Sequence, residues 1–183
     1  MIRFAALLVA ALAAVAPAQA QTQTPPPAAP SARIHPQTKA GDDADFARKA
    51  AADGFAEIWM AQLALRKSGR DDIRKFAQAM IDSHQRLNGQ VKEIAMAKGI
   101  TLPTGPQGEA VRQLDRLGVL DGSAFDKAYL AATVTAHEKA IRLFEDQVAK
   151  GQDDALKGLA GKNLDELQAH LQMARALAPE QKT

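Results

Sequence analysis

The sequence contains no cysteine, so neither a disulfide nor a thiolate contributes to its stability or chemistry. Any metal site in this chain must therefore use histidine, carboxylate and water ligands. A lipoprotein anchor is excluded for the same reason, because that lipid is attached to a cysteine.

Aromatic residues are scarce and charge is balanced. Phe, Trp and Tyr make up 4% of the chain, and 23 Lys and Arg face 21 Asp and Glu. The basic residues alternate with acidic ones along the chain, which is typical of solvated helix faces. With no basic patch and no aromatic platform for stacking bases, the sequence predicts no nucleic-acid partner.

Long apolar runs are also rare, and the longest lies at the N-terminus. Phe4–Val15 is too short to cross a membrane as a helix. It follows Arg3 and precedes Ala18–Ala20, a small-x-small cleavage signal. These features predict a signal peptide over residues 1–20, cleaved after Ala20, and export into a bacterial periplasm. No later segment predicts a transmembrane helix.

The predicted mature chain begins with a segment that cannot bury a core. Residues 21–41 hold five of the nine prolines, among Gln, Thr, Ser and Ala, and predict a disordered tether. Residues 42–178 are predicted to form one bundle domain, and residues 179–183 a short tail.

From residue 42 onward, apolar residues recur at spacings of three and four, which predicts amphipathic helices. Asp71 is predicted to cap the second long helix. We predict four long helices and, within the connection 99–121, one short helix: 43–67, 71–98, 122–150, 153–178 and 109–117. Four helices with one apolar stripe each, and no strand pattern, predict an all-α four-helix bundle.

Four ionisable residues interrupt these stripes, one on each long helix: Glu57, His84, His137 and His170. Burying an unpaired charge costs several kcal/mol, so such groups must meet each other, a metal or water. With a rise of 1.5 Å per residue, all four fall about 15–25 Å below the turn between the first two helices. This holds whether the third long helix runs up or down, although a crossing 99–121 connection groups them more tightly.

Three imidazoles and a carboxylate predict a site for one divalent transition metal, with Zn, Cu, Ni and Fe all suited to these ligands. The alternative is a metal-free polar network in a structural or protein-interaction module of the cell envelope. The sequence identifies no protein partner and is compatible with a homo-oligomer. It favours a non-enzymatic role.

The segment Asp45–Leu177 resembles an exported bacterial family, domain of unknown function 4142, of the ferritin-like superfamily. The resemblance rests on five segments in order: AADGFAEIWMAQLAL, IRKFAQAMIDSHQRLN, AKGITLP, FDKAYLAATVTAHEKAIRLFE and LDELQAHLQMARAL. It implies a ferritin-like bundle with a long crossover between the second and third long helices. The polar positions of that family fall on the same glutamate and three histidines. It implies no activity, because the family is functionally uncharacterised.

The sequence departs from the di-iron members of that superfamily, which carry Glu-x-x-His on two helices. The residues three positions before the histidines are Ile81, Val134 and Leu167, so bridging carboxylates are missing. Ser83 stands before His84, where similar proteins often carry a second acidic residue. Ferroxidase or oxygenase chemistry is therefore not predicted.

Overall fold

Five helices account for most of the chain that the computed structural model describes, residues 40–178. They are α1 Ala40–Lys67, α2 Asp71–Ala97, α3 Glu109–Gly118, α4 Gly122–Lys150 and α5 Asp154–Leu177. No strand occurs in this range, so the predicted all-α class is confirmed, and helix bounds agree within three residues. The predicted signal peptide, the tether up to residue 39 and the tail lie outside the described residues. No helix among residues 40–178 has the length and apolarity needed to cross a membrane.

Contacts at one end of the bundle establish the direction of α4. Lys67, at the end of α1, donates from Nζ to the Leu120 carbonyl at 2.9 Å and to Asp121 Oδ1 at 2.8 Å, just before α4 begins. Arg70, just before α2, donates to the carbonyl of Leu177 at the end of α5 at 3.1 Å. The ends of α1 and α5 and the starts of α2 and α4 therefore meet at this end.

The opposite end is joined by the buried carboxylate of Asp43 near the start of α1. It accepts hydrogen bonds from Gln147 Nε2 at 2.7 Å, from the Gln152 amide at 3.2 Å and from the Asp153 amide at 3.0 Å. Lys98, following α2, forms an ion pair with Asp153. The connection between α2 and α4 thus runs the full length of the bundle and carries α3, which confirms the predicted crossover.

The start of α2 differs from the prediction, because Arg70 rather than Asp71 occupies the cap position. Its backbone is extended, with φ −91° and ψ 122°, and its carbonyl accepts the first helical hydrogen bond from the Arg74 amide at 3.1 Å. The Arg70 side chain makes no capping hydrogen bond, Asp72 Oδ1 accepts from the Ile73 amide at 2.8 Å, and Asp71 lies inside the first turn. The negative charge of Asp71 there still interacts favourably with the helix dipole.

The core is divided into two apolar clusters. The first lies toward the α1–α2 turn and includes Phe76, Phe125 and Tyr129. The second lies toward the Asp43 end and includes Phe46 and Phe144, whose rings meet edge to face at 5.1 Å. Each large side chain buried in these clusters contributes roughly 1.5–3 kcal/mol. Along every long helix, the predicted polar residue falls between the members of the two clusters.

Gly54 marks a close approach of α1 to α2 beside this division. A Cβ atom at this position would lie 2.2 Å from Asn88 Oδ1, so a side chain would force the two helices or Asn88 to move. The Asn88 amide also reaches the Ala51 carbonyl at 3.4 Å. Because Glu57 and His84 lie about one turn from these contacts, the approach sets the helix spacing at their level.

Candidate metal centre

The four predicted site residues lie on four different helices and meet in the core. The exposed fractions are 4% for Glu57, 4% for His84, 0% for His137 and 4% for His170. The three imidazole rings have centroids 5.5, 5.5 and 5.8 Å apart. The predicted convergence of these side chains at mid-height is therefore observed.

The three imidazoles present nitrogens to one another. One ring nitrogen from each of His84, His137 and His170 lies within 4.8 Å of the other two. Tetrahedral bonds of about 2.0–2.1 Å to a metal would place neighbouring nitrogens roughly 3.4 Å apart, a spacing within the observed limit of 4.8 Å. Both ring nitrogens of His84, Nε2 of His137 and Nδ1 of His170 are buried without a hydrogen-bond partner. The donor set thus fits a metal ion of the kind that accepts neutral imidazole.

The tautomer of His137 is set by its surroundings. Its Nδ1 lies 3.0 Å from the Thr133 carbonyl oxygen, an atom that can only accept a hydrogen bond. The same Nδ1 lies 3.3 Å from Glu57 Oε1. The proton therefore resides on Nδ1, and the lone pair of the neutral ring is on Nε2.

The sequence predicts Glu57 as a fourth ligand, and the structure places its carboxylate beside His137. Its Oε1 contacts the protonated nitrogen of His137, and among the described residues the group of mutually close ligand atoms comprises the three histidines. Its second oxygen, Oε2, is buried without a hydrogen-bond partner. The carboxylate therefore orients the ring of His137 through Oε1, and Oε2 can still accept a hydrogen bond or bind a cation.

Burial and charge separate the pKa values of the three histidines. Burial lowers the pKa of His84 well below its usual value, and the neighbouring His137 and His170 lower it further. Burial and His137 lower the pKa of His170 to about 4. Burial also opposes protonation of His137, but the charge and hydrogen bond of Glu57 outweigh it and raise that pKa. At neutral pH, His84 and His170 therefore present free lone pairs.

Tyr129 and Thr133 extend the polar group along α4. Both are fully buried, and the Thr133 hydroxyl is the polar neighbour of the Tyr129 hydroxyl, although the two do not form a hydrogen bond of standard geometry. Burial, together with the charge of Glu57, raises the pKa of Tyr129. We did not assign these two residues to the site from the sequence. Their spacing of eight and four residues before His137 is the signal that points to them, since residues at these intervals share a helix face.

A cavity of about 640 Å³ between α1, α3 and α4 reaches this group from outside. Glu57 and His84 line it, and so does Asp53, which is exposed to solvent. Although Asp53 is partly exposed, desolvation by the surrounding helices and the charge of Glu57 raise its pKa to about 6. The α4 wall consists of five alanines together with Thr135, Lys139 and Phe144; the alanines are Ala128, Ala131, Ala132, Ala136 and Ala140.

Comparison with known proteins places the fold among helical domains without an assigned role. A sequence profile described as domain of unknown function DUF4142 matches residues 23–177. No curated protein matches the sequence. A solved DUF305 protein from Streptomyces coelicolor has a TM-score of 0.65 and 16% identity, over 74% of this chain and 89% of that one.

Two further solved structures are similar. A DUF305 fragment from Deinococcus radiodurans has a TM-score of 0.67 and 12% identity, over 75% of this chain and 95% of its own. CopM in its Cu(I)-bound form has a TM-score of 0.62 and 16% identity, over 73% of this chain and 93% of its own. At these identities the likeness shows a shared fold.

Proposed function

The chain belongs to the DUF4142 family, a domain of unknown function, and we propose that it is an exported protein that binds one transition-metal ion in its bundle core. The ligands in this proposal are His84, His137 and His170. The observation that carries it is the convergence of three buried imidazoles from three helices, each of which also has a buried nitrogen without a hydrogen-bond partner. Unpartnered buried polar groups are costly, and a metal would satisfy all three at once.

Copper is the first ion to test. Neutral imidazole suits Zn, Cu, Ni and Fe, and divalent copper generally binds nitrogen sites most tightly of these. CopM, which shares the fold, is described in Cu(I)-bound, Cu(II)-bound and Ag-bound forms. That likeness supports copper as the ion to offer first.

In this proposal, Glu57 acts through His137. Metal-binding histidines usually donate their second ring N–H to a carboxylate or a carbonyl, which fixes the ring and increases its basicity. His137 has both kinds of acceptor at Nδ1, in Glu57 and the Thr133 carbonyl. The site therefore has three nitrogen ligands, one of them with a carboxylate behind it.

The proposed role is binding and buffering of the ion, with stabilisation of the bundle, rather than oxygen chemistry. Two-metal centres in ferritin-like proteins rely on several carboxylates, supplied by glutamates from all four helices. The residues three positions before the histidines are apolar, and Glu57 is the one buried carboxylate in contact with the imidazoles among residues 43–178.

The deciding experiment is elemental analysis of untagged protein purified from periplasm without chelators. We expect about one metal ion per chain in the wild type and none in a His84→Ala, His137→Ala double variant. His35→Ala is the matched control, because it removes the one histidine outside the bundle domain and should retain the ion. If the wild type holds no metal after Cu, Zn, Ni and Fe have each been offered, the proposal is wrong, and the four residues form a metal-free polar network.

A further inference from the structure

We infer that the metal ion reaches the three imidazoles through the cavity between α1 and α4, and that Asp53 and Glu57 bind it on the way. This inference rests on the proposed metal-binding function and adds an access route and a transient carboxylate site.

The cavity connects to the site on one side only. Glu57 and His84 are among its lining residues, whereas His137 and His170 are not. Its volume of about 640 Å³ exceeds that of a hexahydrated ion, since six waters occupy roughly 180 Å³ at about 30 Å³ each. A second cavity, beside Trp59 and Pro106, contains none of the four site residues among its lining.

The carboxylates along this route are graded by burial. Asp53 is exposed, whereas Glu57, four residues later on the same helix, is buried. Four residues correspond to a rise of about 6 Å along α1, so an ion can pass from one carboxylate to the next. Glu57 Oε1 is engaged with His137, but Oε2 is buried, unpartnered and part of a residue that lines the cavity. The Glu57 carboxylate is the group to which a cation leaving Asp53 would bind before it meets His84.

Lys139 makes the route testable by charge. It is exposed, lines the same cavity and acts on Asp53 electrostatically, so its ammonium group opposes a cation there. The other acidic lining residue, Glu109, is already paired with Arg112 and Arg116 on α3. Asp53 and Lys139 should therefore influence metal uptake in opposite directions.

The experiment is stopped-flow loading of the metal-free full-length protein with Cu(II), or with whichever ion the wild type binds. Because charges at the mouth of a cleft alter on-rates through the local field, we expect Asp53→Asn to load about three- to tenfold more slowly and Lys139→Gln faster. Ala131→Phe, which narrows the cavity without changing charge, should also load more slowly. Asp45→Asn is the matched control, since Asp45 is an exposed α1 acid outside the cavity lining.

Salt separates the two effects. Raising the ionic strength should shrink the differences for Asp53→Asn and Lys139→Gln but leave that for Ala131→Phe. The amount of metal bound at the end of each loading curve shows whether a variant has changed the amount bound or only the rate of loading. If the wild type binds one ion and all three cavity variants load at its rate, the access route is wrong and the proposed function stands. If the wild type binds no ion, both are wrong.

Discussion

Glu57 and His137 form a buried pair between α1 and α4, with Glu57 Oε1 3.3 Å from His137 Nδ1. The Thr133 carbonyl reaches the same nitrogen at 3.0 Å from within α4. Two acceptors on Nδ1 orient the ring so that its other nitrogen carries the lone pair. The pair therefore sets both the basicity of His137 and the direction in which it can bind.

Replacing Glu57 with glutamine tests whether the carboxylate supports the site or belongs to it. We expect Glu57→Gln to weaken metal binding about 10–100-fold, as for other carboxylates behind a metal-bound histidine. In the metal-free protein, the pKa of His137 should fall, because the charge and hydrogen bond of Glu57 raise it. Chelator competition measures the first effect and histidine NMR titration the second.

Glu138→Gln is the matched control, since Glu138 is paired with Arg175 on the surface. Unchanged affinity in Glu57→Gln would contradict the supporting role. A loss as complete as that in His84→Ala would instead make Glu57 a direct ligand, as the sequence alone predicts.

His170 should make the metal-free protein sensitive to acid. Its folded-state pKa is about 4, against 6.5 for the free side chain. Between these values the unfolded chain binds a proton that the folded chain does not, so the free energy of unfolding falls as the pH falls. We expect this loss of stability to be absent above pH 6.5 and to increase as the pH falls to about 4.

The comparison variant is His170→Gln, which cannot titrate. Other groups titrate in both proteins, including Asp53, whose raised pKa acts in the opposite direction. The difference between the two proteins reports the titration of His170 together with its effect on the pKa of His84. Urea unfolding with chelator present should show that the wild type loses stability relative to the variant on acidification from pH 7.5 to pH 4.5. Parallel profiles would contradict the depressed pKa.

Metal binding should stabilise the fold, because the ligands come from three helices that must be in place together. At a free metal concentration of 100 times Kd, the gain is about 2.7 kcal/mol. For a domain of this size we expect Tm to rise by roughly 5–10 °C in calorimetry. A variant with all three bundle histidines replaced by alanine should show no rise, and an equal rise in that variant would place the ion elsewhere.

Replacing Asp43 with alanine should destabilise the fold, because Asp43 is buried and joins α1 to the α4–α5 turn. Asp43→Ala removes an acceptor shared by Gln147 and the backbone amides of Gln152 and Asp153. We expect a loss of about 2–3 kcal/mol in the free energy of unfolding. Asp45→Ala, which loses only a surface pair with Arg48, should cost much less, and equal losses would show that the Asp43 contacts contribute little.

The sequence predicted the helices and the height of the polar residues because both follow from local periodicity and a fixed rise per residue. It could not predict which nitrogen of His137 faces Glu57, since height along a helix leaves the rotamer open. The Asp43 contacts join residues more than 100 positions apart, and no local pattern indicates them. The direction of α4 depended on whether residues 99–121 turn back or cross, and their length permits both.

Asp71 illustrates a smaller failure of the same kind. An acidic residue before an apolar stripe is typical of a helix cap. Arg70 already has the extended backbone and the accepting carbonyl of a cap. The helix therefore begins at Asp71, one residue earlier than it would if Asp71 were the cap. The position of the first helical hydrogen bond, not the preference of one side chain, determined the boundary.

The division of the core into two apolar clusters has a consequence for how the bundle opens. The polar layer with its unsatisfied atoms contributes little to stability and separates two apolar clusters that pack independently. Local unfolding that begins at one end of the bundle can therefore stop at this layer without reaching the other end. An ion held by three helices at that layer would couple the halves into one cooperative unit. Metal binding would then slow hydrogen exchange of the backbone amides near both Asp43 and Lys67, which lie at opposite ends of the bundle and far from any ligand.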